Sequence, residues 1–260
     1  MSLEVFGLNG RRALVCGASQ GIGRAIAKAF SESGAEVILL ARTREKLEEL
    51  QRELAPRKTI VLEADLDDHR QLEQKVKETI AAGPIHILVN NAAGPAPGPI
   101  LNAEADAFLT AFKRHIGAAQ LLTRLLLPGM KSAGYGRIVN VISTSVREPI
   151  PNLGVSNTIR GAMASWAKTV AGELPPGVTI NNILPGYTAT PRLESLKKNT
   201  SDKRGISTAE VEREWIQAIP EGRIARPEEI AWAATFLASP AAAYIRGVSL
   251  AVDGGRMKGM

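Results

Sequence analysis

Short apolar runs alternate with amphipathic stretches along the whole chain. Arg12 to Cys16 is an apolar run of strand length, and a helical spacing of apolar positions follows from Gly21 to Ser33. Glu36 to Ala41 repeats the strand pattern, and Arg44 to Leu54 then places its leucines on one helical face. Thr59 to Glu63 and His86 to Asn90 continue the series, with a helix from His69 to Ile80 between them. Helical patterns over Phe108 to Leu127 and Asn157 to Glu173 separate further strands at Arg137 to Ile142 and Val178 to Ile183. Val248 to Val252 is the seventh strand. Strands apolar on both faces, joined by helices, predict a parallel sheet covered on each side, a doubly wound α/β fold. No linker or repeat divides residues 1–260, so one domain is expected. The least regular piece, Leu193 to Thr208, is rich in Lys, Ser and Asn and reads as a mobile loop before a helix.

Composition narrows the function classes. Lysine and arginine number 32 against 26 acids, a net charge of +6 and a pI near 9.6. The basic pairs are scattered among acids, without the aromatic interleaving of a base-stacking platform, so nucleic acid is not an expected partner. The longest uncharged stretch, Ile230 to Ile245, is interrupted by Pro240 and is too short for a membrane span. No secretory pattern is visible at the first residues, so a cytoplasmic location is expected. The lone Cys16 excludes a disulfide framework and a thiolate metal cluster, and no metal is expected.

Candidate chemistry begins directly after the first strand. Gly17-Ala-Ser-Gln-Gly21-Ile-Gly23 forms a G-x-x-x-G-x-G turn that opens a helix. Glycines permit close backbone approach there, and a helix N-terminus offers free N–H groups to a pyrophosphate. Gly17, Ser19, Gln20, Gly21, Ile22 and Gly23 are therefore candidate dinucleotide contacts. About 20 residues further on, an acid would hold a ribose 2′-hydroxyl. Arg42 stands there instead, suited to a 2′-phosphate or simply a solvated residue starting a helix. NADP(H) is favoured, with NAD(H) possible.

Taken together, these residues resemble the short-chain dehydrogenase/reductase family of Rossmann-fold enzymes over nearly the whole chain. The resemblance rests on the glycine loop, on Asp65-Leu66 after the third strand, and on Asn90-Asn91-Ala92-Ala93-Gly94 after the fourth. It rests also on Ser143 after the fifth strand, on Pro185-Gly186-Tyr187-Thr188-Ala189-Thr190, and on the tail Val252-Asp253-Gly254-Gly255. It is nearest to the 3-oxoacyl-acyl-carrier-protein-reductase-like branch. It implies that Asp65 and Leu66 contact the adenine, and that Asn91, Ala92, Ala93 and Gly94 border the cofactor. It also implies that Pro185, Gly186, Thr188 and Thr190 hold the nicotinamide carboxamide. A small carbonyl or hydroxyl substrate, a lid segment at about 191–218 and a homodimer or homotetramer follow by the same implication. Small residues along the helix from Asn157, among them Gly161, Ala164 and Gly172, suit such assembly or packing against the sheet.

The pattern breaks at the family's proton-transfer residues. Its Tyr-x-x-x-Lys is here Ser156-Asn-Thr-Ile-Arg160, 13 residues beyond Ser143. The i, i+4 spacing keeps both side chains on one helix face. A serine hydroxyl is far less acidic than a phenol, and arginine stays protonated, so the chemistry does not transfer unchanged. His115 stands where the family has its asparagine, and is either a near-neutral proton donor or a structural histidine bonding a backbone carbonyl. Of the tyrosines, Tyr135 and Tyr244 are expected away from the site, and Tyr187 is expected to line it. Ser143, Ser156, Arg160 and His115 are thus the catalytic candidates, and Arg160 is also a cofactor candidate, able to donate to the ribose hydroxyls. Two readings remain open: an oxidoreductase with altered proton transfer, or a dinucleotide-binding protein that has lost catalysis and serves as a sensor or assembly subunit.

Overall fold

The computed structural model describes residues 3–259. Seven parallel strands form one sheet in the order β3-β2-β1-β4-β5-β6-β7: β1 (Arg12–Cys16), β2 (Glu36–Ala41), β3 (Thr59–Glu63), β4 (Ile87–Asn90), β5 (Gly136–Val141), β6 (Val178–Pro185) and β7 (Ser249–Val252). Strand order reverses between β1 and β4, opening a crevice at their carboxyl ends.

Alternation along each strand divides the interior into two layers. In β1, Ala13 and Val15 face one core while Leu14 and Cys16 face the other. The first core receives α1 (Gly21–Glu32), α2 (Arg44–Leu54) and α9 (Pro227–Ala238) through Phe30, Leu50 and Ile230. The second receives α3 (His69–Ala81), α5 (Ala118–Ser132) and α6 (Gly154–Glu173) through Leu72, Leu122 and Ala171. The central strands β1, β2, β5 and β6 are buried almost throughout, which is why they read as continuous apolar runs.

A buried amide ladder crosses half the sheet. Asn90 Nδ2 donates to Asn140 Oδ1 at 2.8 Å, and Asn140 Nδ2 to Asn182 Oδ1 at 2.8 Å. Asn182 Nδ2 then donates to Ser249 Oγ at 3.1 Å. These four residues are register partners on β4, β5, β6 and β7. Each central amide is thus satisfied by its neighbours, and the ladder fixes the strand ends that carry the crevice.

Three sequence expectations are corrected. The segment 193–208 is not a loop: α7 (Pro191–Arg204) occupies most of it and α8 (Thr208–Gln217) follows. Only Leu193 is buried on α7, so there is no apolar stripe to betray the helix. Its ends carry the signal instead. Thr190 Oγ1 accepts from Leu193 N–H, Pro191 sits at the first turn, and Gly205 closes the helix with φ of 64°. Ser207 and Glu210 then form a capping box on α8. Lys197 bonds Glu212 at 2.7 Å and Arg204 bonds Glu214, tying the two helices together. The helix expected over 108–127 is also divided. Here α4 (Ala105–Phe112) passes through a π-helical turn (Lys113–Gly117) before α5 begins. The helix expected from Asn157 begins earlier, at Gly154.

Candidate active site

A cleft of about 970 Å3 opens at the carboxyl ends of the strands, where the order reverses. That volume is at the large end for a ligand pocket. Every candidate site residue named from the sequence lines it, except Gly23 and His115. Gly23 serves the cleft from behind: a side chain there would place its first carbon 2.2 Å from Gly17 O. The glycine therefore lets α1 lie close against the loop.

The cofactor end is built for anions. Gln20 caps α1 without any side-chain hydrogen bond, and the first turn holds no acid. Its backbone N–H groups are thus available to phosphate oxygens. Gly17 adopts φ of 64° directly beside Asn91, whose Nδ2 donates to Cys16 O at 3.2 Å. Arg42 follows β2 and stands exposed in the cleft, 3.9 Å from Asp65 Oδ2. Lys46, one helical turn on, shares this wall. Arg114 also lines it, donating from Nε to Asp67 Oδ1 at 3.0 Å. That guanidinium holds the Asp67 carboxyl below the usual carboxylate range. Free helix N–H groups, a glycine cradle and an exposed arginine after β2, held only at 3.9 Å from Asp65, fit a phosphorylated dinucleotide.

At the other end lie the catalytic candidates. Ser143 follows β5, and its Oγ accepts from Ser145 N–H at 3.0 Å, leaving its own proton to point elsewhere. Ser156 and Arg160 project from successive turns of α6. Arg160 Nη1 donates to Val141 O at 2.8 Å and Nη2 to Ala92 O at 3.3 Å. One guanidinium thereby links the loops after β4 and β5. Burial and the charge of Arg192 push its pKa down to about 10, so it remains cationic at neutral pH.

His115 does not behave as a near-neutral donor. It is buried in the π-helical turn, outside the main cleft, against a cavity of about 20 Å3. Burial, then the charges of Arg160 and Arg114, push its pKa down to about 2; the Ala93 backbone opposes this only in part. The imidazole is neutral because burial strips a positive charge of its solvation and two neighbouring guanidiniums repel it. Of the two roles open to His115 from the sequence, proton donor or structural histidine, this burial fits the structural one.

The loop after β6 presents Tyr187 against Trp215 of α8, stacked at 4.7 Å between centroids. Arg256 lies over the same ring at 4.9 Å and donates from Nη1 to Thr144 Oγ1 at 3.3 Å. Thr188 Oγ1 donates to Gly186 O and Thr190 Oγ1 to Thr188 O, which shapes this loop. Tyr135 is buried, with its hydroxyl on Ala238 O, and Tyr244 is fully exposed. Of the three tyrosines, only Tyr187 lines the cleft. Sequence reasoning missed Arg192, Trp215 and Arg256, which all line it.

Comparison with known proteins agrees with this geometry. Residues 17–256 match the family model described as enoyl-(acyl carrier protein) reductase. The NADPH-dependent reductase BacG of Bacillus subtilis is 30% identical, covering 95% of this chain and 98% of that protein. L-xylulose reductase of Cavia porcellus is 34% identical, covering 96% and 97%. The crystal structure of L-sorbose reductase from Gluconobacter frateurii, complexed with NADPH and L-sorbose, superposes with a TM-score of 0.92. It is 30% identical and covers 98% of this chain and 99% of that one. With its sheet, cofactor cleft and whole-length likeness in agreement, this chain belongs to the short-chain dehydrogenase/reductase family. It is an NAD(P)-dependent dehydrogenase or reductase.

Proposed function

We propose that the protein interconverts a small carbonyl compound and its alcohol with NADP(H), using Ser143, Ser156 and Arg160 in place of the family's usual proton-transfer set. The observation that carries this reading is the meeting of these three side chains at one end of the cofactor cleft. When bound, the nicotinamide supplies the hydride equivalent. Ser143, whose proton is free to donate, polarises the carbonyl oxygen. The fixed charge of Arg160 favours the negative charge that develops on that oxygen. Ser156 passes the proton between this oxygen and solvent, since its hydroxyl is too weak an acid to supply it unaided. Gly17, Ser19, Gln20, Gly21 and Ile22 hold the diphosphate, Arg42 the 2′-phosphate, and Asp65 and Leu66 the adenine. Asn91 to Gly94 border the ribose, and Pro185, Gly186, Thr188 and Thr190 hold the carboxamide.

The ordered motifs support a place near the 3-oxoacyl-acyl-carrier-protein-reductase-like branch. Assembly as a homodimer or homotetramer is supported by the solvent-facing apolar side chains of Leu101, Leu109, Phe112 and Trp232. On α6, added side chains at Gly161 and Gly172 would meet nothing within 4 Å. Ala167 and Ala171 of the same helix instead pack into the core, so only part of its small face is open to a partner.

The test is a titration with NADPH and NADH followed by a carbonyl panel. NADPH is expected to bind at least tenfold more tightly, and Arg42→Ala to remove that preference. Ser143→Ala is expected to lower kcat about a hundredfold while leaving NADPH affinity unchanged. NADPH binding without consumption by any carbonyl overturns the reaction assigned here and favours the sensor or assembly role. Unchanged NADPH affinity in Arg42→Ala overturns the role given to that residue.

A further inference from the structure

Charges in the cleft are partly paired at one end and unpaired at the other. Toward the cofactor phosphates, Arg42 faces Asp65 and Arg114 is bonded to Asp67. Around Ser143 and Ser156 stand Arg160, Arg192 and Arg256, and among the described residues none of the three has a carboxylate within ion-pair distance. Among the described residues, Asp65 is the one acid that lines the cleft. Glu148, the carboxylate in the field of Arg256, is committed to the N–H groups of Lys258 and Gly259.

Gly94 marks the point of convergence. A methyl group built there would lie 3.6 Å from Arg192 Nη2, 3.8 Å from Arg160 Nη2 and 4.0 Å from Ser156 Oγ. Two guanidiniums and the Ser156 hydroxyl thus border the space in front of Gly94. Arg192 is held in place by donating from Nη2 to Pro95 O at 2.8 Å, and the cleft walls lower its proton affinity. The like charge of Arg192 in turn lowers that of Arg160. Arg256 reaches in from the C-terminal tail and is fixed by Thr144 and the Tyr187 ring. Positive groups gathered without counter-charge are costly unless an anion joins them, and planar guanidiniums match oxyanions in two-point contacts.

We infer that the substrate carries an oxyanion, a carboxylate or phosphate, and that Arg192 and Arg256 hold it beside Ser143 and Ser156. Arg192 and Arg256 are thus specificity residues: they place the reacting carbon by anchoring a charge next to it. This inference rests on the oxidoreductase reading above, and adds the substrate class.

The test uses dead-end complexes, so that it does not depend on turnover. The protein is saturated with NADP+, which places the cofactor's own phosphates first. Matched compounds are then titrated by calorimetry: acetoacetate against its methyl ester, and dihydroxyacetone phosphate against dihydroxyacetone. One anionic member of these pairs is expected to bind at least tenfold more tightly than its neutral counterpart, and which pair does so tells carboxylate from phosphate. Arg192→Gln and Arg256→Gln are each expected to abolish that difference while NADP+ affinity stays within twofold, and Arg192→Lys to restore part of it. Equal binding within both pairs, no binding by either anion, or a preference that survives both glutamine variants overturns the inference. If the anion binds as expected but NADPH is never consumed, the anion site stands and the oxidoreductase reading falls.

Discussion

At the scale of single residues, the site departs from its family pattern at Ser156, Arg160 and His115. Arg160 keeps a cation where the pattern has lysine, but two of its donors are committed to Val141 and Ala92. His115 shows what such a neighbour does. Its folded pKa of about 2 lies far below that of an unfolded histidine, so the unfolded chain binds the extra proton first. Stability contributed by the neutral ring is therefore present above about pH 6.5 and falls as the pH drops below it. Between pH 7 and pH 5 the loss is about 2 kcal/mol from this group. In urea melts, His115→Asn is expected to lose about 2 kcal/mol less than the natural chain over that interval. Identical acid sensitivity in the two proteins would show that the ring is already accessible. The residue type and position of His115 were legible in the sequence, but its protonation was not. Desolvation between Arg114 and Arg160 is a property of the packed molecule. Arg192 and Arg256 were missed for a related reason. One follows a proline in an unremarkable polar segment, and the other acts only because the tail folds back onto Tyr187.

Elements were legible wherever burial imposed a period. The seven strands and the helices against them announce themselves because both layers exclude water. In contrast, α7 is a solvated helix whose sequence reads as a loop. Its existence rests on caps and on ion pairs to α8, features that periodicity does not weigh. Ser207→Ala removes the capping box and is expected to destabilise α8 by about 1 kcal/mol. Hydrogen exchange would show this as faster exchange confined to 208–217; unchanged protection there contradicts the assignment. The asparagine ladder belongs to the same scale. Asn140→Leu leaves the Asn90 donor and the Asn182 acceptor without their partner inside the sheet. Its expected cost is about 3 kcal/mol in chemical denaturation. A loss under 1 kcal/mol would mean that the ladder contributes little to holding the strand ends.

At the scale of the whole molecule, one sheet delivers nearly every candidate group to the same edge. The reversal between β1 and β4 opens the cleft, the glycine loop and Arg42 shape one end, and Ser143, Ser156 and Arg160 shape the other. Because the cleft gathers groups from β1 through the C-terminal tail, cofactor binding is expected to stabilise the fold as a unit. At a hundred times its Kd, NADPH should add about 2.7 kcal/mol to unfolding stability, visible as a raised Tm. NADH at the same concentration should add less. The central claim is that this cleft carries hydride transfer despite lacking the usual tyrosine and lysine. The most direct measurement supplies NADPH deuterated at the nicotinamide C4 and follows the label by mass spectrometry across the carbonyl panel. The account predicts deuterium on the carbinol carbon of a product alcohol, lost in Ser143→Ala. Saturating cofactor binding with no label in any product would contradict it.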